Sequence, residues 1–534
     1  VFERSGYISY ANCGLPYYIG DVITDPEELT LQTPESFFKR FRINMKIHHE
    51  VISIHTERKT VSVKNLENGE IFEENYDKLI LSPGAKPTQP RLPGVGMDKL
   101  FTLRTVEDTF RIKEYINKNH PKSAVLAGGG FIGLELAENL RELGMDVTIV
   151  QRPKQLMNPF DPDMASMIHN EMRKHGIKLV LGYTVEGFKE KDNGVEVLLK
   201  DNPSLQADMV VLAIGVTPDT ALAKEAGLEL GIKGSIVVND RMETSVPDIY
   251  AAGDAVQVKH YVTGDDALIS LAGPANKQGR IIADNICGGD SRYLGSQGSS
   301  VIKVFDMTAA TTGINETNAK KSGLDVDTVI LSPMSHAGYY PGGKVMTMKV
   351  VFEKETYRLL GAQIIGYEGV DKRIDVLATA IHAGLKATQL KDLDLAYAPP
   401  YSSAKDPVNM AGFMIDNIAK GTLKQWHLED MDKISKDKSV VLLDVRTVGE
   451  FNRGHMDGFR NIPVDELRER INEIEKGKPV YLICQSGLRS YIASRILEGN
   501  GYETYNFSGG FRFYDAVVND RALIERAYAC GMDY

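Results

Sequence analysis

The chain has 534 residues, more than one hydrophobic core usually serves, so its length predicts several domains. The composition, 43% hydrophobic and 25% charged, is that of a globular protein, and the net charge of −10 disfavours nucleic acid as a partner. No apolar run reaches the roughly 18 residues of a membrane-spanning helix, and no signal-peptide pattern opens the chain. We therefore expect neither a membrane nor nucleic acid among its partners.

The chain has four cysteines, Cys13, Cys287, Cys484 and Cys530. They are too few for a disulfide scaffold, and their spacing offers no C-x-x-C metal knuckle, so we expect a reducing, cytoplasmic location and no metal. A single cysteine is more often a small buried hydrophobe than a reactive group. That interpretation holds for Cys287 and Cys530, whose surroundings suggest no chemistry.

In chain order, residues 1–4 are typical of the end of a strand, and we expect a βα unit of about 30 residues to precede them. A strand is predicted at Leu79–Leu81, and a complete βαβ unit starts with the strand Ser123–Ala127. Further strand–turn pairs occur in "ADMVVLAIG" and "DIYAAGDA", before a helix from about Ala275 to Ile286. This alternation predicts parallel, doubly wound sheets.

The second half of the chain has a different pattern. Residues 300–414 mix the strands "TMKVVFE" and "LLGAQIIG" with the helix "RIDVLATAIHAGL", which predicts an α+β domain. The charged stretch after Trp426 is typical of a boundary, and the last 100 residues or so predict a compact α/β domain.

A glycine-rich turn follows the strand Ser123–Ala127. Gly128, Gly130 and Gly133 form G-x-G-x-x-G between a strand and a helix, the context in which the pattern is specific for a dinucleotide. The helix N-terminus, including Phe131 and Ile132, offers N–H donors to a pyrophosphate.

At the end of the next strand, Gln151 replaces the acidic residue that usually binds the ribose of NADH. The neighbouring Arg152 could instead pair with the 2′-phosphate of NADPH. The sequence leaves both nucleotides open.

A second nucleotide site is indicated by "LSPGAKP", by Asp254 in "IYAAGDA" and by Glu3 at a strand end. In this order the motifs, over residues 1 to about 420, resemble the pyridine nucleotide-disulfide oxidoreductases. The resemblance implies FAD and an interface domain that forms a homodimer. It implies FAD contacts at Glu3, Arg4, Asn12, Val51, Ser82, Pro83, Gly84, Gly215, Gly253, Asp254 and Ala272.

Cys13 lies in "SYANCGLP", where a helix should begin, and a helix N-terminus favours a thiolate. Because no second cysteine lies nearby, the cysteine must cycle through a mixed disulfide, a persulfide or a sulfenic acid. The segment resembles the single-cysteine branch of the family, which includes coenzyme A-disulfide reductases, NADH peroxidases and NADH oxidases.

Two further segments, "HAGYYPGGK" and "LAYAPPYSSAKDPVN", resemble the coenzyme A-disulfide reductases. The resemblance implies that Tyr339 and Tyr397 approach the partner subunit's redox cysteine, although packing in a core is an alternative. It implies coenzyme A contacts at Ser9, Asn12, Gln32 and Lys405.

The C-terminal segments "LLDVRTVGEF" and "YLICQSGLRS" resemble rhodaneses. Residues 484–489 form a loop whose successive N–H groups could point at the sulfur of Cys484, while Arg489 adds charge and rigidity. Asp444, Arg446 and Glu450 are expected to brace the fold.

The predicted fold class is α/β, with two Rossmann-like domains for FAD and NAD(P), an α+β interface domain and a C-terminal rhodanese domain. The predicted ranges are 1–105 with 234–302, 106–233, 303–425 and 430–534. The predicted function is NAD(P)H-dependent reduction of coenzyme A persulfide, polysulfide or coenzyme A disulfide through Cys13, with sulfane sulfur carried on Cys484. The alternatives are an NADH peroxidase or oxidase, and a sulfur-carrier or redox-sensing module.

Overall fold

The computed structural model of the chain describes residues 1–191 and 194–529. It divides into two compact units, one of residues 1–157 and 173–298, and one of residues 158–172 and 299–534.

The first unit contains a five-stranded sheet in which all strands run parallel. In sheet order its strands are Lys178–Leu181, Asp146–Gln151, Ser123–Ala127, Met209–Leu212 and Leu100–Thr102. The helices Val106–Asn119 and Phe131–Glu142 provide crossovers, and the central strands are almost wholly buried, as parallel strands between helices must be. A small antiparallel sheet adjoins it, with strands Val185–Lys191, Gly194–Leu199 and Asn202–Ala207.

The remainder of the first unit is built from short strands around one core. Leu79–Leu81 pairs in parallel with Ile249–Ala251, and Ile236–Val237 with Val256–Lys259. The other strands are Ser9–Tyr10, Thr30–Gln32, His49–His55, Thr60–Asn65, Ile71–Asn75, Ala85–Pro87, Val216–Pro218 and Asp266–Ala267. The helices are Leu15–Ile19, Pro34–Phe41, Ala221–Glu225 and Ala272–Ile286.

The predicted helix ending at Ile286 begins at Ala272 rather than near Ala275. Pro274 lies in its first turn, where proline is tolerated because those N–H groups have no intrahelical partner. The proline therefore does not delay the start of the helix.

The second unit contains a five-stranded antiparallel sheet. In sheet order its strands are Ser300–Val304, Met307–Gly313, Leu359–Gly366, Thr347–Glu353 and Val326–Leu331. The associated helices are Pro162–Lys174, Glu316–Lys321, Val370–His382 and Pro407–Ala419. The α+β pattern predicted for residues 300–414 is confirmed.

Residues 158–172 lie inside the range predicted for the NAD(P) domain, but they pack in the second unit. The reason is electrostatic. The buried ammonium of Lys349 lies 3.2 Å from Asp161 and 2.8 Å from Asp163, and a buried cation must be paired.

The C-terminal part of the second unit is a parallel sheet flanked by helices. In sheet order its strands are Gln425–Trp426, Thr504–Phe507, Val480–Ile483, Val441–Asp444 and Arg460–Asn461. Its helices are Met431–Ile434, Val448–Arg453, Leu488–Glu498 and Gly510–Ala529.

The C-terminal sheet begins a few residues before the predicted start of the last domain. Trp426 is buried, its ring centroid lies 4.5 Å from that of Phe507, and its strand belongs to the C-terminal sheet. This sheet therefore includes residues before the predicted start at 430, and the charged residues that follow form short helical turns.

Candidate functional site

The glycine-rich turn after Ser123–Ala127 has the backbone that its sequence predicts. Gly128 has φ +119°, and a Cβ there would lie 2.2 Å from the carbonyl oxygen of Ala213. A Cβ at Gly133 would lie 2.1 Å from the carbonyl oxygen of Gly128. Gly130 caps the helix Phe131–Glu142 and has open space where its Cβ would be. The turn therefore leaves an open approach to a helix N-terminus, which fits a pyrophosphate.

The residues at the end of the neighbouring strand have separate roles. The side-chain oxygen of Gln151 accepts a hydrogen bond from the N–H of Gly129 at 3.0 Å, so Gln151 braces the glycine-rich turn. Arg152 is exposed directly beyond it. The strand end thus presents a cation where a ribose-binding carboxylate would otherwise stand.

The second predicted nucleotide site converges on Arg104, which the sequence did not single out. Its guanidinium donates to Asp254 at 2.7 Å, and both side chains are mostly buried. The Ser82-Pro83-Gly84 turn approaches the same group, since a Cβ at Gly84 would lie 3.6 Å from the guanidinium. The two motifs predicted to bind the flavin therefore lie together in the first unit.

The other predicted FAD contacts have these positions. Glu3 accepts a hydrogen bond from the N–H of Ser5 at 2.7 Å, and Arg4 donates to Asp219 at 2.9 Å. The N–H of Gly253, which has φ +82°, donates to Gln278 at 2.8 Å. Gly215 has φ +103°, Val51 is half-buried in a strand, and Ala272 starts a helix.

Cys13 lies in a 3₁₀ turn, Asn12–Gly14, directly before the helix Leu15–Ile19, and it is exposed. Partial burial of the thiol raises its pKa, the carboxylates of Glu135 and Asp254 raise it further, and Arg104 acts in the opposite direction. Burial and the nearby carboxylates therefore oppose the thiolate that the helix start is predicted to favour.

Glu135, on the helix Phe131–Glu142, forms an acidic cluster with Tyr17 and Glu138 beside Cys13. Burial and the charge of Glu138 raise the pKa of Glu135 to about 7, although a hydrogen bond with Tyr17 opposes this. Burial and the two carboxylates raise the pKa of Tyr17 to about 12. Sequence reasoning missed these residues, and the only available signal was an acidic residue shortly after G-x-G-x-x-G.

Three of the residues predicted to bind substrate lie in the N-terminal segment that also carries Cys13. Ser9 pairs directly with Gln32 across two antiparallel strands, so the two predicted contacts are brought together. Asn12 contacts Arg104 twice. The side-chain nitrogen of Asn12 donates to the carbonyl oxygen of Arg104, and its side-chain oxygen accepts from the guanidinium, each at 3.3 Å. All three belong to the first unit.

Tyr339 and Tyr397 form a hydrogen-bonded pair in the second unit, with their hydroxyl oxygens 2.6 Å apart. Tyr339 and Tyr397 are 76% and 45% exposed, so the alternative prediction that they pack in a core is wrong. The hydrogen bond with Tyr339 raises the pKa of Tyr397. Lys405, also exposed, lies 5.8 Å from the ring of Phe413.

Cys484 lies at the end of the strand Val480–Ile483 and is 1% exposed. Its sulfur accepts a hydrogen bond from the N–H of Gly487 at 3.1 Å and another from the hydroxyl of Ser490 at 3.2 Å. The sequence predicted several successive backbone donors, whereas among the described residues one backbone N–H, that of Gly487, donates to this sulfur, and the second donor is the hydroxyl of Ser490, which the sequence analysis did not name. Such donors hold a thiolate or persulfide anion in place.

Arg489 is part of a brace around this loop. Its guanidinium binds both carboxylate oxygens of Glu450 at 2.7 Å, and this interaction lowers the pKa of Glu450 to about 2. Arg446 likewise binds both oxygens of Asp444, through its Nε at 3.1 Å and one Nη at 2.7 Å. The bracing predicted for Asp444, Arg446 and Glu450 matches these contacts, and Arg489 contributes rigidity more than free charge.

Of the two other cysteines, the structure describes only Cys287. Cys287 is exposed at the end of the helix Ala272–Ile286. Cys530 lies outside the described residues.

Comparison with known proteins gives three matches along the chain. Residues 1–279 match the pyridine nucleotide-disulphide oxidoreductase family, and residues 299–407 match the dimerisation domain of that family. Residues 427–516 match the rhodanese-like domain.

Similar proteins cover most of the chain. A coenzyme A disulfide reductase of Staphylococcus aureus is 38% identical over 415 residues, which is 77% of this chain and 92% of that protein. The structure of reduced CoADR-RHD from Bacillus anthracis is 48% identical with a TM-score of 0.95, over 97% of this chain and 93% of that one. An NAD-dependent persulfide reductase from A. fulgidus is 38% identical with a TM-score of 0.90, over 96% and 94%.

The two nucleotide-binding motifs and the matched domains define a flavoprotein disulfide reductase with a rhodanese-like domain in its C-terminal part. The chain belongs to the pyridine nucleotide-disulphide oxidoreductase family, and its relatives include the coenzyme A-disulfide reductases. FAD and NAD(P)H are accordingly its cofactors, and the glycine-rich turn and the Arg104–Asp254 region fit them. Among the described residues, no helix is both long enough and apolar enough to span a membrane.

Proposed function

We propose that the chain reduces coenzyme A persulfide, polysulfides and coenzyme A disulfide at the expense of NAD(P)H. Cys13 is the cysteine that attacks the substrate, and Cys484 carries sulfane sulfur as a persulfide. A cytoplasmic location and a homodimer accompany this proposal, and the matched dimerisation domain supports the second.

The observation that carries the proposal is the environment of Cys484. Its sulfur is buried and receives two hydrogen bonds, from Gly487 and Ser490, at the end of a parallel strand. This arrangement stabilises a sulfur anion, and it occurs in a chain that also has a redox cysteine beside a flavin site. A peroxidase or oxidase has no use for a second sulfur-binding loop, so the arrangement favours a sulfur substrate.

The chemistry divides between cofactors and protein. When bound, NAD(P)H and FAD supply electrons to the redox cysteine. The thiolate of Cys13 attacks one sulfur of coenzyme A disulfide, which forms a mixed disulfide with Cys13 and releases one coenzyme A thiolate. A hydroxyl of the Tyr339–Tyr397 pair donates a proton or a hydrogen bond to the leaving thiolate. Two electrons then return Cys13 and the second coenzyme A to their thiol forms.

The contacts proposed for coenzyme A come from both units. Ser9, Asn12 and Gln32 supply polar side chains in the segment that carries Cys13, and the exposed ammonium of Lys405 suits the ligand's phosphates. Because Tyr339, Tyr397 and Lys405 belong to the second unit, the resemblance to the family implies that they come from the partner subunit.

The test is NADH consumption by the holoenzyme with one oxidant at a time. We expect coenzyme A persulfide, coenzyme A disulfide or polysulfide to be reduced faster than hydrogen peroxide or oxygen. Turnover of peroxide or oxygen far above that of every sulfur compound would overturn the proposal and favour a sulfenic acid cycle at Cys13. No turnover of any oxidant would favour a sulfur-carrier or sensor.

A further inference from the structure

The exposed tyrosine pair is carried by two loops of the second unit. Residues 332–346 carry Tyr339, and residues 393–406 carry Tyr397. The rings are 76% and 45% exposed, so the packing of side chains around them does not fix their positions. Their 2.6 Å contact therefore depends on how the bases of the two loops are held.

Arg373, on the helix Val370–His382, lies between those bases. One of its terminal nitrogens donates to the carbonyl oxygen of Ser335 at 2.9 Å and to that of Tyr401 at 3.2 Å. Ser335 precedes Tyr339 by four residues, and Tyr401 follows Tyr397 by four. A single guanidinium thus bonds to the backbones of both tyrosine-bearing loops.

The guanidinium makes further contacts. The same terminal nitrogen also lies 2.9 Å from the carboxylate of Asp406 and 3.2 Å from the hydroxyl of Ser402, so its two hydrogens are shared among four acceptors. Its Nε donates to Asp406 at 3.1 Å, and its other Nη donates to the carbonyl oxygen of Gly369 at 3.1 Å. The hydroxyl of Ser402 donates to Asp406 at 2.7 Å. Arg373 and Asp406 are 1% and 2% exposed, so the charges are neutralised within the protein and unavailable to a ligand.

A backbone hydrogen bond continues this link. The N–H of Ala337 donates to the carbonyl oxygen of Ser402 at 3.0 Å, which joins the two loops directly. Arg373 reaches a backbone carbonyl on each side of that bond. The planar, five-donor fork of arginine suits this task, whereas lysine offers a point charge with no fixed geometry.

We propose that Arg373 is a positioning residue for the Tyr339–Tyr397 pair, because its buried guanidinium fixes the two loops at the spacing that brings the hydroxyls together. The inference rests on the proposed function of the pair in the reductase. It assigns to the helix Val370–His382 a role in the alignment of the proton donors, in addition to its role in the core. Arg373 itself does not touch the substrate.

The experiment uses the FAD-loaded enzyme labelled with 3-fluorotyrosine. The ¹⁹F resonances of Tyr339 and Tyr397 are identified, among 23 tyrosines, from the signals that disappear in Tyr339→Phe and Tyr397→Phe. Arg373→Met and Arg373→Lys are then compared with Lys349→Met. Lys349 is a matched control, because it is an equally buried cation of the same unit whose ion pairs involve neither tyrosine-bearing loop.

We expect both assigned resonances to move in Arg373→Met and, less far, in Arg373→Lys, whereas Lys349→Met lowers the thermal stability and leaves them in place. Should Arg373→Met fail to fold, Arg373→Lys and Ser402→Ala provide the same comparison. Unchanged resonances in the folded Arg373 and Ser402 variants would overturn the proposal. Equal movement in Lys349→Met would also overturn it, since the effect would then be general destabilisation.

A kinetic measurement separates this proposal from the proposed function. With coenzyme A disulfide, Tyr397→Phe should lower kcat by roughly tenfold in the unaltered enzyme but by less than about threefold in Arg373→Lys, where the pair is already misaligned. If both tyrosine variants turned over normally in the unaltered enzyme, the catalytic role of the pair would fail, while the resonances would still report whether Arg373 positions it.

Discussion

The two cysteines to which we assign the chemistry, Cys13 and Cys484, have contrasting environments. Cys484 is buried, and its sulfur receives hydrogen bonds from Gly487 and Ser490 within a loop braced by the Arg489–Glu450 ion pair. Cys13 is exposed, and the protein around it includes the acidic group of Glu135. Two hydrogen-bond donors contact the first sulfur, whereas burial and nearby carboxylates raise the pKa of the second.

This difference fits a division of labour between storage and exchange. A carrier must protect a persulfide from other thiols, which burial and hydrogen bonds achieve. A redox cysteine must be accessible to a bulky disulfide substrate, and it must be released again when the mixed disulfide is reduced. An exposed position allows both. The following changes test that division, starting with the largest expected effect.

Replacement of Cys13 by serine should abolish NADH-dependent reduction of coenzyme A disulfide, by roughly 10³-fold or more in kcat, because the attacking nucleophile is lost. The rate of NADH oxidation measures this effect. Cys287→Ser is the matched control, since Cys287 is also exposed, and it should keep at least about half of the rate. Retention of most activity in Cys13→Ser would remove Cys13 from the mechanism.

Replacement of Cys484 by serine should remove sulfur transfer from a sulfane donor to cyanide by at least about 10²-fold, while reduction of coenzyme A disulfide stays within about twofold. Thiocyanate formation measures the first activity, and NADH oxidation the second. Parallel loss of both activities would show that the two cysteines do not work separately.

Replacement of Tyr339 or Tyr397 by phenylalanine should lower kcat for coenzyme A disulfide by roughly tenfold, the equivalent of one hydrogen bond to a charged group. The double variant should lose less than the product of the two single effects, because the hydroxyls bond to each other at 2.6 Å. Steady-state kinetics of the three variants provides the test. Strictly multiplicative effects would contradict a functional pair.

Replacement of Arg152 by alanine should raise KM for NADPH by about fivefold and leave KM for NADH within about twofold, if the exposed guanidinium binds a 2′-phosphate. Steady-state kinetics with each nucleotide measures the change. An equal rise of KM for both nucleotides would show that Arg152 stabilises the end of the strand and does not recognise the 2′-phosphate.

Replacement of Glu135 by glutamine should accelerate the alkylation of Cys13 by about threefold near pH 8.5, where Glu135, with a pKa of about 7, is ionised. The charge of Glu135 raises the pKa of the thiol, so removal of that charge lowers the pKa and increases the thiolate fraction below it. The rate of iodoacetamide labelling, followed from pH 6 to pH 10, should therefore shift to lower pH. A profile that shifts to higher pH, or does not shift, would show that Glu135 does not raise the pKa of Cys13.

The elements predicted most accurately from the sequence are those that local pattern determines. The strand Ser123–Ala127, the turn at Gly128 and Gly133, and the strands Thr347–Glu353 and Leu359–Gly366 have the positions that glycine chemistry and hydrophobic runs indicate. The order of the motifs was sufficient to predict the fold class. Each motif is specific only between a strand and a helix, so a motif in that context also identifies the elements around it.

The features that sequence reasoning missed depend on contacts between distant segments. Arg104 meets Asp254 across 150 residues, and Arg373 joins Ser335 to Tyr401, and no local pattern predicts either contact. The raised pKa of Cys13 has the same origin, since its neighbour Glu135 lies on a different helix. The last domain was predicted to start at residue 430, after the first charged residues, although Trp426 is already buried in the C-terminal sheet.

The most direct test of the division between storage and exchange is peptide mass spectrometry of the enzyme after one equivalent of each oxidant, without reductant. We predict coenzyme A in disulfide linkage on the peptide that contains Cys13 after treatment with coenzyme A disulfide. We predict one additional sulfur atom on the peptide that contains Cys484 after treatment with a sulfane donor. Recovery of both modifications on the same cysteine would contradict the account.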